Sequence, residues 1–207
     1  MPKRTLVGIV AVLVGAMGLA ACGGSKVKAT AAASGVSCTA AGQPGATAAM
    51  AIGIGGTGAG CIVIALDTAH APKAAGHFIS LAKAGFYDGL TFHRAVSGFV
   101  IQAGDPNGDG SGGSGKAPVV GEVPKDGYPI GSLAAAKAGT DPDGTFDSQF
   151  FIVTGAPGTQ LPPQYARFGR VVAGMDVVQR IDALAPATGD GPPTQKVTMD
   201  KVTIAGA

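Results

Sequence analysis

The chain has 207 residues, a length that leaves room for one domain and additional segments. The 15 Lys and Arg residues exceed the 13 Asp and Glu residues by only two, so the charge gives no reason to expect nucleic acid as a partner. The 35 Gly and 14 Pro residues favour short strands joined by many turns over a bundle of helices.

Residues 1–21 have the three zones of a signal peptide: the positive Lys3 and Arg4, an apolar run from 6 to 19, and a small-residue ending. The apolar run would span about 21 Å as a helix, less than the hydrocarbon core of a bilayer at about 30 Å. The ending, Leu-Ala-Ala followed by Cys22, resembles the lipobox of bacterial lipoproteins. That resemblance implies a lipid on Cys22 and a location outside the cytoplasm, anchored to the bacterial cell membrane. An ordinary secreted protein with a chance cysteine is the alternative.

Residues 22–47 are rich in Ala, Gly, Ser and Thr, which predicts a flexible tether between the lipid and a folded domain. If Cys22 carries lipid, Cys38 and Cys61 remain as an even number of cysteines in an oxidising compartment. They either form a disulfide that closes a loop worth about 3 kcal/mol, or stay free, with Cys61 as a buried apolar residue.

From residue 48 onward the pattern predicts short strands separated by turns. The strand candidates are 48–54, 61–66, 90–94, 98–102, 132–136, 149–153, 167–172 and 197–204, and the helix candidates are 72–84 and 175–184. Pro72 suits the first turn of the first helix, and Gly85 suits the position after its end. About eight strands and two helices predict a mainly β fold over residues 48–207: a closed eight-stranded antiparallel β-barrel capped by two α-helices.

Other kinds of site are disfavoured by their surroundings. The glycines of 53–58 match G-x-G-x-x-G, but a nucleotide site would need a helix directly afterwards, and the β-branched run 62–64 predicts a strand. The three histidines have no acid or cysteine at ligand spacing, so no metal site is expected. The acidic loop 141–147 is expected to be solvated rather than to bind calcium.

The segment Phe92–Asp105 (FHRAVSGFVIQAGD) places two polar residues, Arg94 and Gln102, inside otherwise apolar strands. A polar group in such surroundings needs a partner, either within the protein or on a ligand. Spacing alone favours an arginine paired with a surface carboxylate.

The same segment resembles the cyclophilin signature F-H-R-x-x-x-x-F-x-I-Q-x-G-D. Similar blocks follow in the family's order at 105–113, 131–136, 148–152 and 161–171. The resemblance covers most of residues 48–204 and implies a peptidyl-prolyl cis/trans isomerase that needs no cofactor and no metal. The expected substrates are proline-containing segments, and the N-terminal segment places them in exported or envelope proteins. The expected working form is a monomer.

The resemblance also implies roles for individual residues. Arg94 is the expected catalytic guanidinium, with Phe99 and Gln102 beside it. The expected substrate-binding residues are Val100, Ala136, Gln149, Phe151, Leu161 and Tyr165. Lys137 departs from a frequent Asn, and the loop 140–147 is slightly longer than in relatives. Two other functions stay open: a binding module that holds proline segments without turnover, and a structural lipoprotein of the envelope.

Overall fold

A computed structural model of the chain describes residues 30–32, 35–39 and 45–207. The predicted signal peptide and the predicted lipid-bearing Cys22 lie outside the described residues. Within the described part, neither helix combines the length and the apolar composition that crossing a membrane requires.

Strands dominate the described part of the chain, as the composition predicts. In chain order the elements are β1 (Thr30–Ala32), β2 (Gly35–Ser37), β3 (Thr47–Ile54), β4 (Thr57–Leu66), α1 (Pro72–Lys83), β5 (Phe92–Val96), β6 (Val100–Ala103), β7 (Val119–Val120), β8 (Ser132–Ala135), β9 (Thr145–Phe146), β10 (Phe150–Val153), a 3-10 helix (Ala156–Gln160), β11 (Arg167–Ala173), α2 (Met175–Asp182) and β12 (Val197–Ala205).

Eight of these strands form one antiparallel sheet in the order β12–β3–β4–β11–β8–β10–β6–β5. The two edges of the sheet meet because Thr91, just before β5, bridges Thr198 of β12. Beside this bridge, the Met199 N–H donates to the Leu90 carbonyl oxygen at 2.8 Å. The sheet is therefore a nearly closed barrel, and the predicted mainly β fold with eight antiparallel strands and two helices is confirmed.

Both helices bury apolar faces in the barrel's core. Helix α1 buries the predicted face formed by Ala74, Phe78 and Leu81. Helix α2 buries Val178 and Ile181. It ends at Asp182, two residues short of the predicted end, because element ends depend on local hydrogen bonds that periodicity does not report.

The start of β4 differs from its prediction. The glycines of 55–60 were expected to form a connection, but β4 begins at Thr57, and Gly58 and Gly60 pair with Gly53 and Ile52 of β3. The turn is reduced to Gly55 and Gly56, both with positive φ (60° and 80°), which is the conformation of a two-residue hairpin. The glycine-rich composition of 55–60 predicted a loop. Residues 57–60 form a strand instead, because β3 provides backbone hydrogen-bond partners for them.

Part of the predicted tether is structured. Strands β1 and β2 pair as an antiparallel hairpin, and Cys38, just after it, is joined to Cys61 of β4 by a disulfide with a Cα–Cα distance of 5.7 Å. Cys38 packs beside Ala49 and Val63, on the face of β3 and β4 that points away from the core. The bridge therefore ties the segment before the barrel to the barrel wall.

We expect the disulfide to stabilise the domain. It closes a loop over a sequence separation of 23 residues, and the loss of loop entropy in the unfolded chain is worth about 3 kcal/mol. Reductant should therefore lower the denaturation midpoint of the wild type and leave a Cys38→Ser, Cys61→Ser double variant unchanged. Thiol labelling of denatured, unreduced protein should find neither cysteine reactive; two labelled thiols would show that the bridge does not form.

Candidate active site

Strand pairing brings three of the predicted site residues together. Arg94 of β5 lies opposite Gln102 of β6, and Gln102 lies opposite Phe151 of β10. Residues paired across neighbouring strands share one face of a sheet. All three side chains therefore project to the same side, whereas Phe150, which precedes Phe151 in β10, belongs to the barrel's core.

The turn between β5 and β6 positions Phe99. The Phe99 N–H donates to the Val96 carbonyl oxygen at 2.9 Å, and Gly98 has a φ of 68°. A positive φ at this position defines a type II turn, which favours glycine. The buried carboxylate of Asp182, at the end of α2, accepts the Gly98 N–H at 3.0 Å and the Thr154 hydroxyl at 2.6 Å. The turn is therefore tied to the end of α2 and to the residue that follows β10.

These elements surround an open pocket of about 220 Å³. Its wall combines an apolar surface with the polar groups of Arg94, Gln102 and Lys137. The complete lining is Arg94, Phe99, Val100, Gln102, Ala136, Lys137, Phe151, Leu161 and Tyr165.

The pocket thus contains every predicted catalytic and substrate-binding residue except Gln149. Gln149 lies instead in an adjoining cavity of about 290 Å³, to which Gln102 and Ala136 also contribute. The two cavities share a wall, so the predicted residues form one continuous surface.

The guanidinium of Arg94 is held on two sides. Its Nε and Nη2 donate to the two carboxylate oxygens of Asp190, each at 2.7 Å, and its Nη1 donates to Gln102 Oε1 at 3.2 Å. These hydrogen bonds to the Asp190 carboxylate raise the pKa of Arg94 above its ordinary value, and the same bonds lower the pKa of Asp190. Arg94 is therefore a fixed cation, and its side chain is one third exposed (33%) at the pocket.

A chain of amides continues from Arg94 towards the glycine-rich loop. The Gln102 Nε2 donates to Gln149 Oε1 at 2.9 Å. The Gln149 Nε2 then donates to the carbonyl oxygens of Gly110 and Gly112, both at 2.9 Å. Gln149 lies outside the main pocket, but its hydrogen bond to Gln102 Nε2 fixes the orientation of the Gln102 amide. Gln102 Oε1 therefore faces Arg94.

Lys137 lines both cavities, and its ammonium group is held by the backbone of residues 138–141. Its side chain is only 5% exposed, and its Nζ donates to the carbonyl oxygens of Asp141 at 2.9 Å and Ala138 at 3.2 Å. These two carbonyl oxygens thus use two of the three N–H donors of the ammonium group.

Tyr128 packs behind the residues that line the pocket, and it was not among the predicted site residues. Its hydroxyl donates to the Tyr165 carbonyl oxygen at 2.8 Å and accepts the Tyr165 N–H at 3.0 Å. Its ring packs in a buried cluster with Val100 and Phe151, separate from the barrel's core. Burial raises the pKa of the Tyr128 hydroxyl. Tyr128 is 37 residues from Tyr165, so sequence spacing carried no signal for this contact.

The comparisons with known proteins agree with this geometry. The family model described as "Cyclophilin type peptidyl-prolyl cis-trans isomerase/CLD" matches residues 50–204. The chain is 41% identical over 141 residues to the peptidyl-prolyl cis-trans isomerase ppi1 of Schizosaccharomyces pombe, covering 66% of this chain and 88% of that protein. It is also 41% identical over 143 residues to the human peptidyl-prolyl cis-trans isomerase-like 1, covering 66% of this chain and 82% of that protein.

A solved structure has the same fold. It is the cyclophilin type peptidyl-prolyl cis-trans isomerase of Cryptosporidium parvum, crystallised in the presence of the dipeptide Ala-Pro. The TM-score is 0.67 at 25% identity, and the match covers 78% of this chain and 99% of that one. With the family match, the curated relatives and the shared fold all in agreement, this chain belongs to the cyclophilin type peptidyl-prolyl cis-trans isomerases.

Proposed function

We propose that this isomerase acts on X–Pro bonds of exported or cell-envelope proteins and assists their folding, with Arg94 as the catalytic group. The observation that carries the proposal is the pocket itself, where a fixed guanidinium stands beside an apolar wall formed by Phe99, Val100, Phe151 and Leu161. An apolar pocket of this kind suits the ring of proline, and the cation stands at its edge.

The chemistry requires only that rotation about one bond be made easier. Amide resonance opposes rotation with a barrier of about 18–20 kcal/mol, and uncatalysed X–Pro exchange takes tens to hundreds of seconds. As the bond twists, resonance is lost and the prolyl nitrogen gains a localised lone pair. A donor that is better matched to this twisted amide than to the planar one lowers the barrier.

In this proposal each part of the pocket has one task. The apolar wall holds the proline ring while the acyl side of the bond rotates. Arg94 donates to the developing lone pair, and its charge persists at all ordinary pH values because a guanidinium is not deprotonated in proteins. Gln102, oriented by Gln149 at 2.9 Å, is placed to hydrogen-bond the substrate backbone.

A peptide isomerisation assay on the purified chain tests this function. Acceleration of cis/trans exchange in an X–Pro peptide, saturable by peptide, is the expected result. Peptide binding without acceleration would favour a binding module that holds proline segments, and neither binding nor acceleration would leave a structural role in the envelope.

The N-terminal segment supports a location outside the cytoplasm. We infer that residues 1–21 are a lipoprotein signal peptide, that Cys22 carries the lipid and that the segment from 22 to 47 connects the membrane to the isomerase. The positive residues, the apolar run and the Leu-Ala-Ala-Cys ending support this inference. The isomerase domain is expected to act as a monomer, which light scattering of detergent-solubilised protein would measure.

Replacing Cys22 by serine should abolish membrane anchoring, because the thiol that accepts the lipid is lost. We expect wild-type protein from a bacterial host to sediment with membranes and to carry acyl mass at its N-terminus. The Cys22→Ser protein should accumulate as uncleaved precursor, and a Ser25→Ala control should behave as wild type. Mature wild-type protein without acyl mass would contradict the assignment.

A further inference from the structure

The carboxylate that pairs with Arg94 comes from a distant part of the chain. Asp190 lies in the loop between α2 and β12, 96 residues after Arg94. The loop is fastened to β5 beside it, since the Ala95 N–H donates to the Gly191 carbonyl oxygen at 2.7 Å. Asp190 is therefore held next to Arg94 by its backbone, although its own side chain is 57% exposed.

The pairing determines which donors of Arg94 remain available. A guanidinium carries five N–H groups in a rigid plane. Asp190 occupies the Nε–H and one N–H of Nη2, and Gln102 occupies one N–H of Nη1. One N–H on each terminal nitrogen is left for a substrate. Because Asp190 binds both Nε and Nη2, it sets the plane of the guanidinium and determines which edge of it faces the pocket.

Without Asp190 the guanidinium would have little to hold it. Its remaining side-chain partner would be Gln102, at the longer distance of 3.2 Å, and a long arginine side chain has many rotamers to explore. A donor accelerates a reaction only if it is already oriented when charge develops. The negative charge of Asp190 also partly offsets the field of the cation at the pocket, so its removal acts on activity in two opposite directions.

We propose that Asp190 is a positioning residue that orients the guanidinium of Arg94 for catalysis, and that this orientation outweighs the charge it offsets. The proposal rests on the role of Arg94 in the proposed function. Asp190 acts only through Arg94 and makes no contact with the substrate.

The first test separates turnover from binding. Asp190→Ala should lower kcat for a proline peptide about five- to tenfold while KM changes less than twofold, taking an exposed but bidentate ion pair as the guide. Asp190→Glu, which keeps the charge and both oxygens, should recover part of the loss. Asp176→Ala is the matched control, because it removes an exposed aspartate that pairs with Arg180 on α2, away from the pocket.

The second test asks whether Asp190 acts through Arg94. In an Arg94→Ala background, Asp190→Ala should cause no further loss of kcat, because its target is gone. An equal loss in both backgrounds, a loss confined to KM, or wild-type or higher kcat in the Asp190→Ala protein would each overturn the proposal. An inactive wild type or a fully active Arg94→Ala protein would instead refute the proposed function, so the two failures are distinguishable.

Discussion

Replacing Arg94 by alanine should lower kcat/KM for a proline-containing peptide by about 100- to 1,000-fold, the typical effect of removing one preorganised donor. The loss should fall mainly on kcat, because the donor is needed most when the prolyl nitrogen gains its lone pair. The barrel should remain folded, since the guanidinium lies at the pocket's edge and its partners are Asp190 and Gln102 rather than core residues.

Arg94→Lys is the more specific test of geometry, because it keeps the positive charge and loses the planar set of N–H donors of the guanidinium. A single ammonium cannot bind both oxygens of Asp190 and still present a donor in the same plane, so we expect only partial recovery. Circular dichroism would verify that each variant is folded. An Arg94→Ala protein that is folded and as fast as wild type would refute the assignment and direct attention to Gln102 or to the apolar pocket alone.

Replacing Phe150 by alanine should lower the free energy of unfolding by about 3–5 kcal/mol, the usual cost of a large cavity in a core. Phe150 is fully buried (0% exposed). Its ring centroid lies 5.8 Å from that of Phe78, 5.7 Å from that of Tyr87 and 6.5 Å from that of Phe92, all in edge-to-face arrangements. Urea unfolding monitored by circular dichroism measures the loss.

The neighbouring Phe151 provides the matched control on the same strand. Its side chain points to the pocket, where its ring packs edge-on against that of Tyr165 at 5.3 Å. Phe151→Ala should therefore cost less stability than Phe150→Ala and raise KM strongly, because the pocket loses part of its proline-binding wall. Equal destabilisation by the two variants with unchanged KM for Phe151→Ala would contradict the division of β10 into a core face and a pocket face.

Strand pairing accounts for the part of the predicted site that lies on β5, β6 and β10. Arg94 and Gln102 are eight residues apart on the two strands of one hairpin. Their closeness in space therefore follows from local chain geometry. Phe151 joins them through the pairing of β10 with β6. The resemblance to the cyclophilin signature supplied the roles, which spacing alone did not.

Spacing alone favoured an arginine paired with a surface carboxylate, and the structure contains that pair as well. Asp190 is the partner, and the same guanidinium lines the pocket. The two interpretations were treated as alternatives, yet a guanidinium has enough donors for both. Only the folded loop shows which of the 13 acidic residues is the partner.

The sequence by itself predicted the eight barrel strands and both helices, the family and most of the residues that line the pocket, because these follow from local periodicity and from short motifs that occur in the family's order. Tertiary structure alone decided the Asp190–Arg94 pair, the Tyr128–Tyr165 contact and the length of β4. Each of these joins chain segments that are distant in sequence or replaces a local preference by a partner strand. The groups in these contacts come close to each other only when the barrel has formed. A local sequence pattern therefore does not predict them.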